Sequence, residues 1–242
     1  MLTGIDPIEN KSLKQACVQQ LERLIFSGQW EPGTRLPAER SLAKRMGVSR
    51  PVLHQALVDL AAKGLVSIEP RRGVYVNHFD ETGSLALVSS LLSYQQDDGQ
   101  AAFLEDMMAF RVLLEAETAS LAAENRSAQD LTRLHKILEE EREAGGDTVL
   151  RTALDFNFHL RIAHASGNLL YPMILNSFKS VYTSFTSRFY RRYCEGPVAA
   201  QVLRFHEQLL MQIEAQAAQD AAQTMLRMLE QGERHLKELA HD

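Results

Sequence analysis

The stretch 38–76, AERSLAKRMGVSRPVLHQALVDLAAKGLVSIEPRRGVYV, decides the fold. Its apolar residues first recur at helical spacing: Leu42 and Ala43, then Val52, Leu53, Ala56, Leu57 and Leu60. Met46-Gly47-Val48 closes the first of these helices, while Ser49 is placed to cap the second and Gly64 to stop it. From Val66 the period drops to two. Val66 and Ile68, then Val74 and Val76, flank Pro70-Arg71-Arg72-Gly73, the pattern of a short hairpin. Upstream, Ser12 precedes a helical run through Leu13, Cys17, Leu21, Leu24 and Ile25 that Gly28 ends, and Pro32-Gly33 turns the chain. Helix, helix, tight turn, helix and hairpin predict a winged helix-turn-helix over 1–77.

Residues 78–83, His-Phe-Asp-Glu-Thr-Gly, break both periods and are expected to be a linker. Beyond them no strand pattern stands out. Helical patterns run over 84–95, 101–124, 128–144, 148–166, 169–192 and 197–239, the last broken near 215–220. Ser127 with Asp130, and Gly145-Gly146-Asp147, mark two helix starts. The expected fold class is mainly α: a winged helix-turn-helix with a small β-hairpin wing, then an all-α bundle of six or seven helices over 84–242.

Composition narrows the class. With 45% apolar and 24% charged residues, 242 residues suffice for two ordinary globular cores. The longest mainly apolar stretch, Leu85 to Tyr94, contains three serines and is too short to cross a bilayer. Asp6, Glu9, Lys11 and Lys14 stand where a leader peptide would be apolar, and Cys17 and Cys194 are far apart and outside any CxxC. A cytoplasmic protein without a disulfide framework is expected. The net charge of −5 is divided unevenly: residues 1–79 hold eleven Lys/Arg against seven Asp/Glu, or +4, which leaves −9 for the rest. Such a split suggests a basic module that meets an anion, joined to an acidic module with another task.

In a helix-turn-helix the start of the recognition helix reads base edges while neighbouring groups hold phosphates. Ser49 and Arg50 stand at that start, Arg40 and Lys44 lie one turn apart on the preceding helix, and Arg71, Arg72 and Gly73 form the wing tip. An arginine fork spans guanine O6 and N7, and wing arginines suit phosphate or the minor groove. In the second segment Asp155 and His159 stand at i and i+4, a spacing that allows chelation of a divalent metal from one helix or merely a surface pair. His206 follows on a later helix, and Arg111 is a lone cation in an apolar one, suited to a carboxylate or paired with Glu115. Helical facing adds Asn176 and Arg188 as polar candidates for effector contact.

The run Glu31-Pro-Gly-Thr-Arg-Leu-Pro-Ala-Glu-Arg-Ser-Leu-Ala, with Gly47-Val-Ser-Arg-Pro-Val and Arg72-Gly73-Val-Tyr-Val, resembles the winged helix of the GntR family of bacterial transcription regulators. The resemblance implies DNA contacts at Arg40, Ser49, Arg50, Pro51 and Gly73, and at His54, where many members carry Arg. Phe110-Arg111 through Glu115, Asp155-Phe-Asn-Phe-His159, Ala165-Ser-Gly-Asn168 and His206-Glu-Gln-Leu-Leu resemble the all-helical FCD effector domain of the FadR subgroup. That domain binds a metal in many members through one Asp and three His. The first three fall on Asp155, His159 and His206 and the fourth on Met228, which leaves a place for an exogenous ligand. Arg111 matches a residue of the family's effector pocket. Met228 in place of His, and the ending Arg234-His-Leu-Lys-Glu-Leu, are similar to the galactonate-operon repressors of the subgroup.

The resemblance thus implies a homodimeric repressor on a palindromic double-stranded operator, controlled by a small organic acid such as a sugar acid, with zinc or nickel as cofactor. Two other readings stay open: a metal sensor in which the ion is the effector, and a metal-dependent hydrolase using the same Asp and His residues.

Overall fold

The computed structural model of the protein describes residues 12–94 and 100–239. They form two compact units, one reaching to Tyr94 and one comprising the residues from Gln100 on.

In the first unit, α1 (Leu13–Phe26) starts with a capping box between Ser12 and Gln15 and buries Cys17, Val18, Leu21 and Ile25. Leu13, expected to face inward, is exposed because it lies beyond the end of the packed surface. Helix α2 (Glu39–Met46) ends on Gly47 in the left-handed conformation at φ 69°, and Ser49 caps α3 (Arg50–Ala62) by accepting from Val52 N–H. Leu53, Ala56, Leu57 and Leu60 of α3 are buried against α1 and α2. Strands β1 (Val66–Glu69) and β2 (Gly73–Val76) pair antiparallel, Val66 opposite Val76 and Glu69 opposite Gly73, which is the expected wing. One edge escaped the periodicity. Gly33 N–H donates to Val76 O, Val76 N–H to Thr34 O and Leu36 N–H to Val74 O, so the stretch after Pro32 runs beside β2.

The segment expected as a linker has a structural task. It forms α4 (Phe79–Thr82) and leads into α5 (Leu85–Tyr94), whose Leu87 joins the core of the first unit. Its polar groups satisfy the open carbonyls at the end of α3: Ser84 N–H donates to Lys63 O, Ser84 Oγ to Ala62 O, and Asn77 Nδ2 and Thr82 Oγ1 to Gly64 O. Lys63 in turn reaches Glu22 of α1 at 2.6 Å and Ser90 of α5 at 2.8 Å. The first compact unit therefore extends past 83, where the sequence placed the second domain.

Seven helices make up the described part of the second unit: α6 (Gln100–Asn125), α7 (Ala128–Glu143), α8 (Thr148–Ala165), α9 (Leu170–Ser177), α10 (Lys179–Tyr193), α11 (Pro197–Glu214) and α12 (Ala218–Glu238). Asp147 caps α8 through Val149 and Leu150 N–H, and Ser127 with Asp130 caps α7, both at the expected places. Helix α12 lies along α6, and α8 is packed by α6, α7, α9 and α10. Two breaks divide the last patterns. Gln216, at φ +57°, separates α11 from α12 as expected. The run 169–192, expected as one helix, is broken at Phe178, whose buried ring packs 4.7 Å from that of Phe110. Tertiary packing there overrides a continuous helical period. Among the described residues no helix is long and apolar enough to cross a membrane.

Gly64 has φ +82°, and a Cβ there would lie 2.0 Å from the Thr82 carbonyl oxygen. Gly64→Ala should therefore destabilise the first unit by about 2–3 kcal/mol through backbone strain and the displaced α3 cap, as read by urea denaturation. A change within error would remove the α3–α4 contact as a constraint.

Candidate functional site

The first unit presents a basic groove of about 760 Å³ between α2, α3 and the wing. Arg40 from the first turn of α2, Arg50 from the first residue of α3 and Arg71, Arg72 and Gly73 from the wing tip all line it, as the sequence predicted. Arg71 is itself in the left-handed region at φ 64°, which turns the tip, and Arg72 pairs with Glu69 at 2.9 Å. Lys44 is exposed one turn further along α2 and does not line the groove. Ser49 Oγ and Pro51 serve the start of α3, one as cap and the other within the first turn.

Two residues of this groove had no periodic signal. Glu39 lies 3.6 Å from Arg50 Nε and 3.2 Å from His54 Nδ1, so one carboxylate holds both side chains at the entrance of α3. Arg35 lies under the wing: a Cβ at Gly73, φ +124°, would come within 2.9 Å of its Nε. Glycine at the tip thus makes room for a guanidinium. Five arginines against Glu39 and Glu69, beside the positive end of α3, make the groove attractive to a polyanion.

The second unit holds a buried polar cluster around α8, on the face that also buries Leu154, Phe156, Phe158 and Ile162. Asp155, His159 and, from α11, His206 are all buried, and one ligand atom from each lies within 4.8 Å of the others. Each imidazole is held by a carboxylate on its Nδ1 side. His206 Nδ1 is 2.8 Å from Glu141 of α7, and His159 Nδ1 lies against Glu115 of α6. His206 Nε2 is left facing Asp155 Oδ1 at 4.0 Å, buried and without a hydrogen-bond partner. This is the arrangement of metal-ligating histidines, whose outer nitrogen is fixed by a carboxylate.

Arg111 of α6 completes the cluster. Its Nε donates to Glu115 Oε1 at 2.6 Å and its Nη2 to Tyr182 OH at 2.7 Å, while Tyr182 and Tyr190 of α10 donate to the two oxygens of Asp155. Burial alone would raise the Glu115 carboxyl, but Arg111 and His159 outweigh it and hold it at about 2. Burial would lower Arg111, yet Glu115, Tyr182 and Asp155 leave it above its ordinary value. Burial would likewise raise Glu141 and lower His206, but their mutual attraction reverses both shifts. Burial, with Asp155 beside them, pushes both tyrosines well up, so they remain donors. Three buried carboxylates (Glu115, Glu141, Asp155) meet the Arg111 guanidinium, with Arg151 also acting on Glu141, so the cluster is rich in acids.

A cavity of about 60 Å³ opens beside Arg111, Asp155 and His159, and Met228 of α12 lines it too. The effector contacts expected at Asn176 and Arg188 are placed otherwise. Asn176 is exposed on α9 and lines a separate depression with His164, because the break at Phe178 interrupts the facing assumed for it. Arg188 is half-buried on α10 and is not among the cavity residues. Glu141 and Glu115 carried a readable signal. Each stands on a buried helical stripe, Leu134-Leu138-Glu141 in α7 and Met108-Arg111-Glu115-Thr118 in α6, where an acid needs a partner.

Comparison with known proteins follows the same division. Residues 13–76 match the family described as "Bacterial regulatory proteins, gntR family", and residues 106–231 match the FCD domain. The chain is 32% identical over 206 residues to the HTH-type transcriptional regulator LutR of Bacillus subtilis (strain 168), covering 85% of this chain and 91% of that protein. It is 31% identical over 187 residues to a fatty acid metabolism regulator protein of Erwinia tasmaniensis, covering 77% and 75% respectively. Among solved structures, Lar, which controls the expression of the Listeria monocytogenes agr system, has the same fold at 19% identity. Its TM-score is 0.64, with 96% of this chain and 100% of that one covered.

Removing one partner of a buried ion pair strands the other. Arg111→Met should therefore cost the second unit about 3–5 kcal/mol in urea denaturation, and Tyr182→Phe, which removes a neutral donor, only about 1–2 kcal/mol. Equal losses would show that the cluster is not organised around the Arg111–Glu115 pair.

Proposed function

The chain belongs to the GntR family of bacterial transcription regulators, in the FadR-like subgroup that joins a DNA-binding winged helix to an effector-binding FCD domain, and on that basis we propose that it is a homodimeric repressor whose grip on a palindromic operator is set by a small carboxylate held beside a divalent metal. Members of this family are regulators and not enzymes.

Support for the DNA part comes from the basic groove. Arg50 enters the major groove at the start of α3 with His54 beside it, Arg40, Lys44 and the Ser49-Pro51 turn hold the backbone, and Arg71, Arg72 and Gly73 approach with the wing. Two such modules related by a twofold axis double the contacts of a small basic surface. Arg50→Ala should lose about 1–3 kcal/mol of discrimination between operator and unrelated DNA, whereas Arg72→Ala should weaken both nearly alike. Titrations at two salt concentrations read the difference, and operator preference retained in Arg50→Ala would displace α3 as the reading helix. Sedimentation should give a dimer at micromolar concentration, and a monomer that binds one half-site tightly would contradict the symmetric arrangement.

The single observation that carries the effector part is the buried trio of Asp155, His159 and His206, with Asp155 and His159 lining a cavity that Arg111 also lines. A divalent ion on that trio would offset the buried acids around it. The donor set of one carboxylate and two imidazoles suits zinc or nickel. A bound metal would supply Lewis acidity towards a carboxylate. Arg111 offers a second hold on the same carboxylate, and this favours an organic acid over the ion alone as effector. A coupling of about 1–3 kcal/mol between acid and operator would change affinity about 5–150-fold.

A metal-free form has its own support, since Tyr182 and Tyr190 already donate to Asp155 and Glu141 already holds His206. Metal analysis of protein purified without a metal-affinity column separates the two. The expected result is about one equivalent of divalent metal per chain, lost in His159→Gln with His206→Gln. Protein that carries none, takes up none from zinc or nickel solutions and binds acids equally well in chelator would remove the metal and leave the regulator.

A further inference from the structure

The charged groups of the cavity are confined to one side, where Arg111, Asp155 and His159 stand. The remainder of its wall is apolar, with Met108, Phe189, Val202, Met228, Leu229 and Leu236, and the Thr186 hydroxyl is the polar exception. A carboxylate meets partners at the charged end. A hydroxyl further along an occupant would exchange its bonds to water for an apolar wall.

Gly232 adds an independent observation. It lies on α12 between Met228 and Leu236, one turn from each, and lines the same cavity. Glycine inside a helix weakens it relative to alanine, so its presence asks for a reason. The backbone supplies none, because Gly232 is within a regular helix and is absent from the residues with positive φ. Packing supplies none either, since a Cβ built there meets no atom within 4 Å. What glycine does leave is a gap in the apolar wall.

We infer that the cavity accepts a carboxylate with a short apolar tail, which lies over Gly232 between Met228 and Leu236. This rests on the carboxylate reading of the effector site and replaces the sugar acid expected from the sequence with a less hydroxylated class. The carboxylate end stays with Arg111 and the Asp155–His159–His206 cluster, and Gly232 sets how long and how wide the tail can be.

Calorimetric titration of the full-length protein tests this with 2-hydroxybutyrate and threonate, which share four carbons, the carboxylate and the 2-hydroxyl and differ by two hydroxyls. 2-Hydroxybutyrate should bind at least about tenfold more tightly. Gly232→Ala should raise the melting temperature of the ligand-free protein by roughly 2–4 °C, since the helix gains and nothing is displaced. Gly232→Leu should fold, weaken 2-hydroxybutyrate at least about tenfold and leave glycolate, which has no tail, unchanged. Threonate or gluconate binding as tightly as 2-hydroxybutyrate would overturn the apolar-tail assignment while the carboxylate effector stands. Undiminished 2-hydroxybutyrate binding in Gly232→Leu would overturn the role of Gly232. No binding by any of these acids at millimolar concentration would overturn both the inference and the carboxylate reading beneath it.

Discussion

A helix can carry an aspartate and a histidine on its buried face only if their polar groups are answered from the helices around it. For α8 that demand organises the second unit. The answer to Asp155 comes from Tyr182 and Tyr190 on α10, that to His159 from Glu115 on α6, and His206 arrives from α11 already held by Glu141 of α7. Five helices are thus keyed to one another through a shared set of charges, and each group keeps its favourable state because of the next. Such a network is cooperative, and its members cannot be valued singly. It also explains why the cavity is charged at one end and apolar elsewhere: the polar groups are drawn towards α8, and the outer walls are left to ordinary core residues.

The first unit works under a different constraint. The charges of its groove are on the surface, where salt screens them. Order there comes from the backbone and from one acid. Glu39 steadies Arg50 and His54, Gly73 makes room for Arg35, and the residues after Pro32 widen the hairpin into a sheet edge on which the wing rests. Surface charge suits a polyanion met and released repeatedly, while the buried cluster suits a small ligand whose binding must be felt as energy.

Local chemistry was readable wherever it acted locally. Ser12, Ser49, Ser127 and Asp147 cap the helices they were expected to cap, and the change from helical to alternating period at Val66 marked the wing. Asp155 and His159 could be paired by spacing alone, and His206 and Arg111 were brought to them by resemblance. What escaped was decided at a distance. The break at Phe178 depends on Phe110, some 70 positions earlier, and it moved Asn176 off the expected face. The edge formed at 34–36 depends on β2. Glu141 is an acid on a leucine stripe, a conflict visible in the sequence, but only the fold shows that His206 resolves it.

The segment that closes the end of α3 sets the size of the smallest autonomous piece of this protein. Cutting the gene at the apparent end of the wing, after Asn77, would leave the carbonyls of Ala62 and Lys63 without the Ser84 donors and Gly64 without Thr82. It would also uncover the core at Leu87 and remove Phe79 from the ring of Phe26. The transferable module is therefore the one that runs to Tyr94. A recombination event that gave this winged helix a new sensor would have to join beyond that residue, and a chimera joined at the wing would inherit the reading helix without what holds its far end.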